Sequence, residues 1–248
     1  YSNPFVRRLG ARVTAGLRAP DAPPLDRWVR YATDQHEVVR FLEAVALVGA
    51  APVVLEPQLR PTAADRAEAD RELPPDGRPL VAIHPGALDP RRRWPPGRFA
   101  AVGDTLSAAG ARVALVGTVA ERPLAAAVAR AMAADAVDLA GRLTLGGLAG
   151  LFARCRVVVG NDSGPLHLAA AVGAATVGVY WGRNLVHYGP LTRSRHRPCV
   201  SWRAACPACG CDLAGHDCGH PGAAVADVPP ATVIAASREL LATGPAVP

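Results

Sequence analysis

The chain has 248 residues, half of them apolar, and a formal net charge of +6 carried by 27 basic residues that are all Arg. That length and apolar share suit a buried core in one large or two modest domains. No apolar run approaches the roughly 18 residues that cross a bilayer, and no charged-then-apolar secretory start is present. The basic balance favours anionic ligands such as phosphates, acidic glycolipids or a membrane face. Few aromatics and no recognisable module argue against nucleic acid. The first residue is Tyr1 and the opening reads like the middle of a fold, so a piece of a longer protein is expected.

Taken in chain order, residues 1–60 open the sequence. Their Pro-rich "LRAPDAPPLDR" predicts a loop, and "QHEVVRFLEAVALVGA", with apolar residues at three- and four-residue spacing, predicts a helix. Residues 61–78 are polar, charged and close on Pro-Pro-Asp-Gly, which marks a linker. From Pro79 strands and helices alternate. "LVAIH" is a strand, "PGRFAAVGDTLSAAG" a helix closed by Gly110, and "ARVALVG" the next strand. A helix over 121–134, the short strand "VDLAG" and the helix "TLGGLAGLFARC" follow. "RVVV", the turn "GNDSG", the helix beginning "PLHLAAA" and the strand "TVGVYW" complete the pattern. Short, nearly all-apolar strands between helices predict a parallel sheet covered on both faces. The expected domain runs over 79–228, with a helix and tail at 229–248.

Ligands of such sheets bind beyond the carboxyl ends of the strands, and three loops leave those ends. In the first, "HPGALDPRRRWPPGRF", Gly86 frees the backbone to turn away. Guanidinium groups of the following Arg run can clamp a diphosphate, while Trp94 is expected to pack into the domain. In the second, "GTVAER", Glu121 stands where a carboxylate can take the hydroxyls of a ribose. In the third, "GNDSGPLHLAAAVGA", Ser163 or Asp162 is expected to cap the helix and Pro165 sits where a missing N–H costs least. The first-turn N–H groups make an anion site there, Gly164 lets a phosphate come close, and His167 adds a donor. No P-loop, no G-x-G-x-x-G and no D-x-D occurs, which counts against a P-loop hydrolase, a dehydrogenase and a metal-bound diphosphate.

Towards the C-terminus, "CPACGCDLAGHDC" brings Cys206, Cys209, Cys211 and Cys218 together, with His216 and His220 nearby. Structural zinc, a disulfide and free thiols are all compatible with this spacing. Cys155, at a helix end before a buried strand, reads as core.

These loops resemble glycosyltransferase family 9, the ADP-heptose:lipopolysaccharide heptosyltransferases. The resemblance rests on "IHPGA", "RRRWPPGRFAAV", "VALVGTVAER", "LAGRLTLGGLAGLF", "VVVGNDSGPLHLAAAVG" and "VYWG…YGPL", which cover residues 79–191 almost continuously. It implies a GT-B architecture: a Rossmann-like parallel-sheet domain over 79–228, with residues 1–60 as the end of a second, acceptor-side α/β domain. It also implies inverting, metal-independent transfer of a heptose or similar sugar from an ADP-sugar to a glycan or glycolipid, with no required cofactor. A non-catalytic nucleotide-sugar-binding module and a GT-B-like epimerase are the alternative readings. By this resemblance Asp162, Ser163, Gly164 and His167 surround the diphosphate and sugar, Glu121 holds the ribose and Leu143 borders the adenine. Gly86 and Gly117 complete the donor-binding set. Arg92 stands where the family commonly has Lys in K-x-W, which keeps the charge and changes its shape. The family's general base is an Asp in an early strand–helix loop that nothing here matches, so the base is expected upstream of Tyr1. The implied setting is cytoplasmic, with peripheral contact at the inner face of the membrane.

Overall fold

The computed structural model describes residues 2–216, 218–222 and 224–243. They fall into two compact units, residues 1–56 with 186–191, and residues 57–185 with 192–248. No helix among the described residues is long and apolar enough to cross a membrane.

The first unit is built from helix α1 (Ser2–Arg8), strands β1 (Ala15–Arg18) and β2 (Arg27–Arg30), and helix α2 (Glu37–Ala46). The strands pair in parallel, Ala15 opposite Arg27 through Arg18 opposite Arg30. The Pro-rich stretch read as a loop is the connection between them. It is fastened by polar contacts: the Asp26 carboxylate accepts from the backbone N–H and the hydroxyl of Thr14, each at 2.7 Å. His36 caps α2 by accepting from the Val38 N–H. Arg40 is buried in α2, donates to the carbonyls of Ala32 and Gln35, and lies 4.2 Å over the Tyr31 ring.

The second unit is a doubly wound α/β layer. Its strands are β3 (Leu80–His84), β4 (Arg112–Leu115), β5 (Val137–Asp138), β6 (Cys155–Asn161), β7 (Ala175–Trp181) and β8 (His196–Ser201). All pair in parallel, in the order β5-β4-β3-β6-β7-β8. Side chains alternate between faces, as the period of a strand requires. Val81, Ile83, Val113, Leu115, Val157, Val159, Val177 and Val179 join one core with α4 (Pro96–Ala108), α5 (Arg122–Ala131) and α9 (Pro230–Ala242). Ala82, Ala114, Val116 and Val158 join the other with α3 (Ala63–Glu72), α6 (Leu145–Phe152) and α7 (Gly164–Ala171). Helix α8 (Gly182–Tyr188) follows β7 directly.

Residues 61–78, read as a linker, are largely a helix of this unit. Thr62 and Asp65 form a reciprocal capping box at the start of α3, and Ala69 and Leu73 are buried in the second core. The composition misleads because the partner surface is small: a Cβ on Gly150 of α6 would lie 2.4 Å from the Asp65 carbonyl oxygen. Backbones that approach this closely need few large apolar side chains between them. Polar links supply the rest, with Thr144 donating to the Glu68 carboxylate at 2.6 Å and Arg154 to Asp70 at 2.7 Å.

Candidate functional site

The order of the sheet reverses between β3 and β6. Strands β4 and β5 extend one way from that pair, β7 and β8 the other. Diverging connections leave a crevice beyond the carboxyl ends of β3 and β6. His84 ends β3 and Asn161 ends β6, so their loops share this crevice.

Asn161 ties the two loops together. It is fully buried; its side-chain oxygen accepts from the Trp94 backbone N–H at 3.0 Å, and its amide donates to the Pro85 and Gly86 carbonyls at 2.8 and 3.2 Å. Trp94 packs into the domain as expected, edge-on to Phe99, with its indole N–H donating to the Val228 carbonyl.

Asp162 is the electrostatic centre. It is buried, and three side chains converge on its carboxylate: Arg92 Nη1 at 3.0 Å, His167 Nε2 at 3.2 Å and Asn184 Nδ2 at 2.7 Å. Arg92 also donates to the Asp162 carbonyl at 3.0 Å. Burial works against the charge on Asp162, but hydrogen bonds from His167 and Asn184 and the charge of Arg92 outweigh it. The carboxyl is held below the usual carboxylate range. Of the three consecutive arginines only Arg92 turns to this centre. Arg91 is engaged by Asp89 and by the Leu213 and His216 carbonyls, and Arg93 by the Ala87 carbonyl.

Ser163 occupies the N-cap position of α7, but its hydroxyl caps nothing there. It donates instead to the Asn161 carbonyl at 3.0 Å and meets His84 Nδ1 at 3.2 Å. Nor does Asp162 cap the helix, since its oxygens face Arg92, His167 and Asn184. The expected side-chain cap is therefore absent, because both side chains are engaged by other partners. The start of α7 keeps its N–H groups uncapped by side chains, and a Cβ on Gly164 would meet nothing within 4 Å.

Glu121 lies on the other side of His84. Its carboxylate accepts from the Thr118 backbone N–H and hydroxyl at 2.8 and 2.9 Å and meets His84 Nε2 at 3.4 Å. The His84 hydrogen bond, with those from Thr118, pulls its pKa down to about 2 against the effect of burial. His84 thus bridges Glu121 and Ser163. Gly86 makes room for this arrangement, because a Cβ there would fall 1.8 Å from Glu121 Oε1. Gly117 is also tight, with a Cβ 3.1 Å from that of Glu121. Leu143, past the end of β5, is half-buried against the second core.

The structure brings Gly86, Arg92, Glu121, Asp162, Ser163 and His167 together. It adds three residues to which sequence reasoning gave no role: His84, Asn161 and Asn184. Their signal was position alone, since each stands at or just past a strand's carboxyl end; His84 and Asn161 are also buried, where a polar side chain needs partners.

The cysteine loop is a separate cluster. The six cysteines are free thiols. The ligand atoms of Cys206, Cys209, Cys218 and His220 all lie within 4.8 Å of one another. His220 takes the place expected for Cys211, which is excluded from this set. Cys211 is half-buried beside it, and hydrogen bonding to Cys209, then burial, pushes its thiol up to about 12.

Fold and site together define a doubly wound α/β protein whose switch point presents a helix N-terminus, an arginine and a buffered carboxylate. The profile of glycosyltransferase family 9 (heptosyltransferase) matches residues 1–210, and the chain belongs to that family. Lipooligosaccharide heptosyltransferase 2 of Haemophilus influenzae is 32% identical over 149 residues, 56% of this chain and 43% of the relative. Lipopolysaccharide heptosyltransferase 2 of Escherichia coli K12 is 34% identical over 108 residues, 42% of this chain and 31% of the relative. The chain thus spans less than half the length of these curated relatives. Among solved structures, the glycosyl transferase family 9 from Veillonella parvula matches with a TM-score of 0.78 at 21% identity, covering 98% of this chain and 71% of that one. E. coli ADP-heptose LPS heptosyltransferase II matches at 0.60 and 24%, covering 77% and 55%. The expected parallel α/β architecture is present, and the fold is that of the GT-B heptosyltransferases.

Proposed function

We propose that this chain carries the donor site of an inverting, metal-independent glycosyltransferase that moves a heptose or similar sugar from an ADP-sugar to a lipopolysaccharide-type glycolipid. The observation that supports this most is the convergence of Arg92, His167 and the uncapped start of α7 on one point of the switch-point crevice. A leaving diphosphate gathers negative charge as the glycosidic bond breaks. Guanidinium, imidazole and helix N–H groups stabilise that charge where it develops.

In this reading Asp162 holds the cationic side chains in place until the diphosphate arrives, and Asn184 steadies Asp162. Gly164 leaves the backbone open to the phosphate. Glu121, oriented by Thr118, faces the ribose, and Leu143 borders the adenine. Gly86 and Gly117 provide the space that Glu121 needs. Neither carboxylate suits the work of deprotonating an acceptor. Glu121 titrates near 2 and Asp162 below the usual range, so both are weak bases at neutral pH. The setting that follows is cytoplasmic, with peripheral contact where the glycolipid acceptor meets a membrane.

The test is calorimetric. Arg92→Ala should weaken ADP far more than adenosine, because a charged hydrogen bond is worth about 1.5–3 kcal/mol and only ADP offers its partner. Gly164→Val, at a position with space for a side chain in the unliganded fold, should block the phosphate while leaving thermal stability close to wild type. Equal losses for ADP and adenosine in Arg92→Ala, or unchanged ADP affinity in Gly164→Val, would remove the donor-site assignment.

A further inference from the structure

The loop from Trp202 to Gly222 connects β8 to the approach of α9. Among its described residues it contains no helix and one isolated bridge, between Ala205 and Asp212. Leu213 is a buried apolar anchor, but such a segment has little core of its own. Short segments of this kind are commonly held by a disulfide or a metal, and the cysteines here are not paired.

Within it, "CPACG" folds as a tight hairpin. The Gly210 N–H donates to the Cys206 carbonyl at 2.8 Å and the Cys206 N–H to the Cys211 carbonyl at 2.9 Å. Gly210 closes the turn at a φ of +72°, a conformation that glycine adopts without strain. Cys218 and His220 arrive from the far side of the loop to complete the set.

We propose that Cys206, Cys209, Cys218 and His220 bind one structural zinc ion. The distances fit the chemistry. With Zn–S about 2.3 Å and Zn–N about 2.0 Å, a sulfur and a nitrogen of one tetrahedron lie about 3.5 Å apart. Cys206 Sγ and His220 Nδ1 are 3.6 Å apart. The remaining donors, all within 4.8 Å, need only a small contraction to reach the roughly 3.8 Å of two sulfurs on one zinc. Three thiolates and one imidazole saturate the ion, which makes it a closed site without a coordination position for substrate.

The consequence reaches the crevice. The loop backbone accepts from Arg91 at Leu213 and His216 and from Arg183 at Ala214. Gly222 and Ala224 donate to the carbonyls of Pro90 and Arg91. The zinc-bound loop thereby braces the turn that carries Arg92 and the start of the helix that carries Asn184. Its effect on ADP rests on the donor-site reading; metal content does not.

The test uses the 248-residue chain purified under reducing conditions from zinc-supplemented cells, with metal measured by mass spectrometry after desalting. Wild type and Cys211→Ser should retain about one zinc per chain, and Cys209→Ser should retain none. Cobalt substitution should give the intense visible bands of a tetrahedral site and a thiolate-to-cobalt charge-transfer band, which His220→Cys should strengthen. Should Cys209→Ser fail to fold, stepwise mercurial titration of wild type, with a dye reporting released zinc, decides the matter. Release should then track thiol modification. A wild-type chain without zinc, zinc retained equally by Cys209→Ser and Cys211→Ser, or release independent of the thiols overturns the proposal. Stripping the zinc should also weaken ADP several-fold. If zinc binds as described but its removal leaves ADP affinity unchanged, the bracing role is overturned and the metal site stands.

Discussion

Glu121 illustrates how a single side chain can be placed correctly along the chain and still be surrounded unexpectedly. Its position past β4 was legible from the turn "GTVAER" after an apolar strand, although an acid in a helix's first turn is also an ordinary partner of the dipole and here forms a capping box with Thr118. Its partner His84 was not, because a histidine at the end of an apolar strand reads as core. The pairing gives Glu121 a pH signature. Its pKa falls from 4.5 to about 2 on folding, so its charge contributes stability that is fully present above about pH 4.5 and is lost as pH falls through 2. Glu121→Gln keeps the shape and removes the charge. The stability gap between wild type and Glu121→Gln should be largest near neutrality and should shrink between pH 4.5 and 2, read from urea midpoints across that range. A gap independent of pH would show that the carboxylate's charge is not what His84 and Thr118 recognise. Ser163 teaches the complementary lesson. Its sequence context called for a cap, but its hydroxyl lies against the Asn161 carbonyl and His84 Nδ1, and its oxygen accepts from no helix N–H.

At the scale of elements, the strands of the second unit were readable because each is a short apolar run with a turn signal at both ends. Strand β8, "HRPCVS", was missed: it mixes polar and apolar residues and contains Pro198, which reads as a breaker. It forms at the edge of the sheet, where proline is tolerated. Strands β1 and β2 were missed for a related reason, being four residues each and dominated by Arg and Gly. Helix α3 was hidden more deeply, since its docking depends on glycines in a partner helix some 80 residues away. Gly150→Ala tests that dependence. The added carbon would meet the backbone of Asp65, at 2.4 Å, and that of Arg66, at 3.0 Å, neither of which can swing aside like a side chain. The substitution should cost about 1–3 kcal/mol and should raise hydrogen exchange over residues 63–72 more than over β3 or β6. Unchanged exchange in α3 would mean that the contact is loose.

For the molecule as a whole, alternation of strand and helix made the doubly wound class legible, and the apolar strands made the sheet's two buried faces legible. The strand order, which creates the crevice, was not readable, because periodicity carries no information about which strand lies beside which. A whole-molecule readout of the crevice is the stability of the second unit. A ligand that binds only the folded form at 100 times its Kd adds about 2.7 kcal/mol at 25 °C. ADP should therefore raise the melting temperature of wild type in a concentration-dependent way, and should raise that of Arg92→Ala much less at the same concentration. Equal shifts in both would place ADP elsewhere on the protein.

The seam between β3 and β6 also governs the order of events when the chain folds. Strands β3, β4 and β5 are neighbours both in sequence and in the sheet, as are β6, β7 and β8. The Asn161 amide, by contrast, must find a carbonyl 76 residues back, at Pro85. Closing so long a loop costs entropy before any contact repays it, and parallel pairing is slow for that reason. Each half of the sheet can assemble from local contacts while the crevice does not yet exist. Contacts local in sequence should therefore form ahead of those across the seam, which makes the crevice among the last features of the fold to be completed.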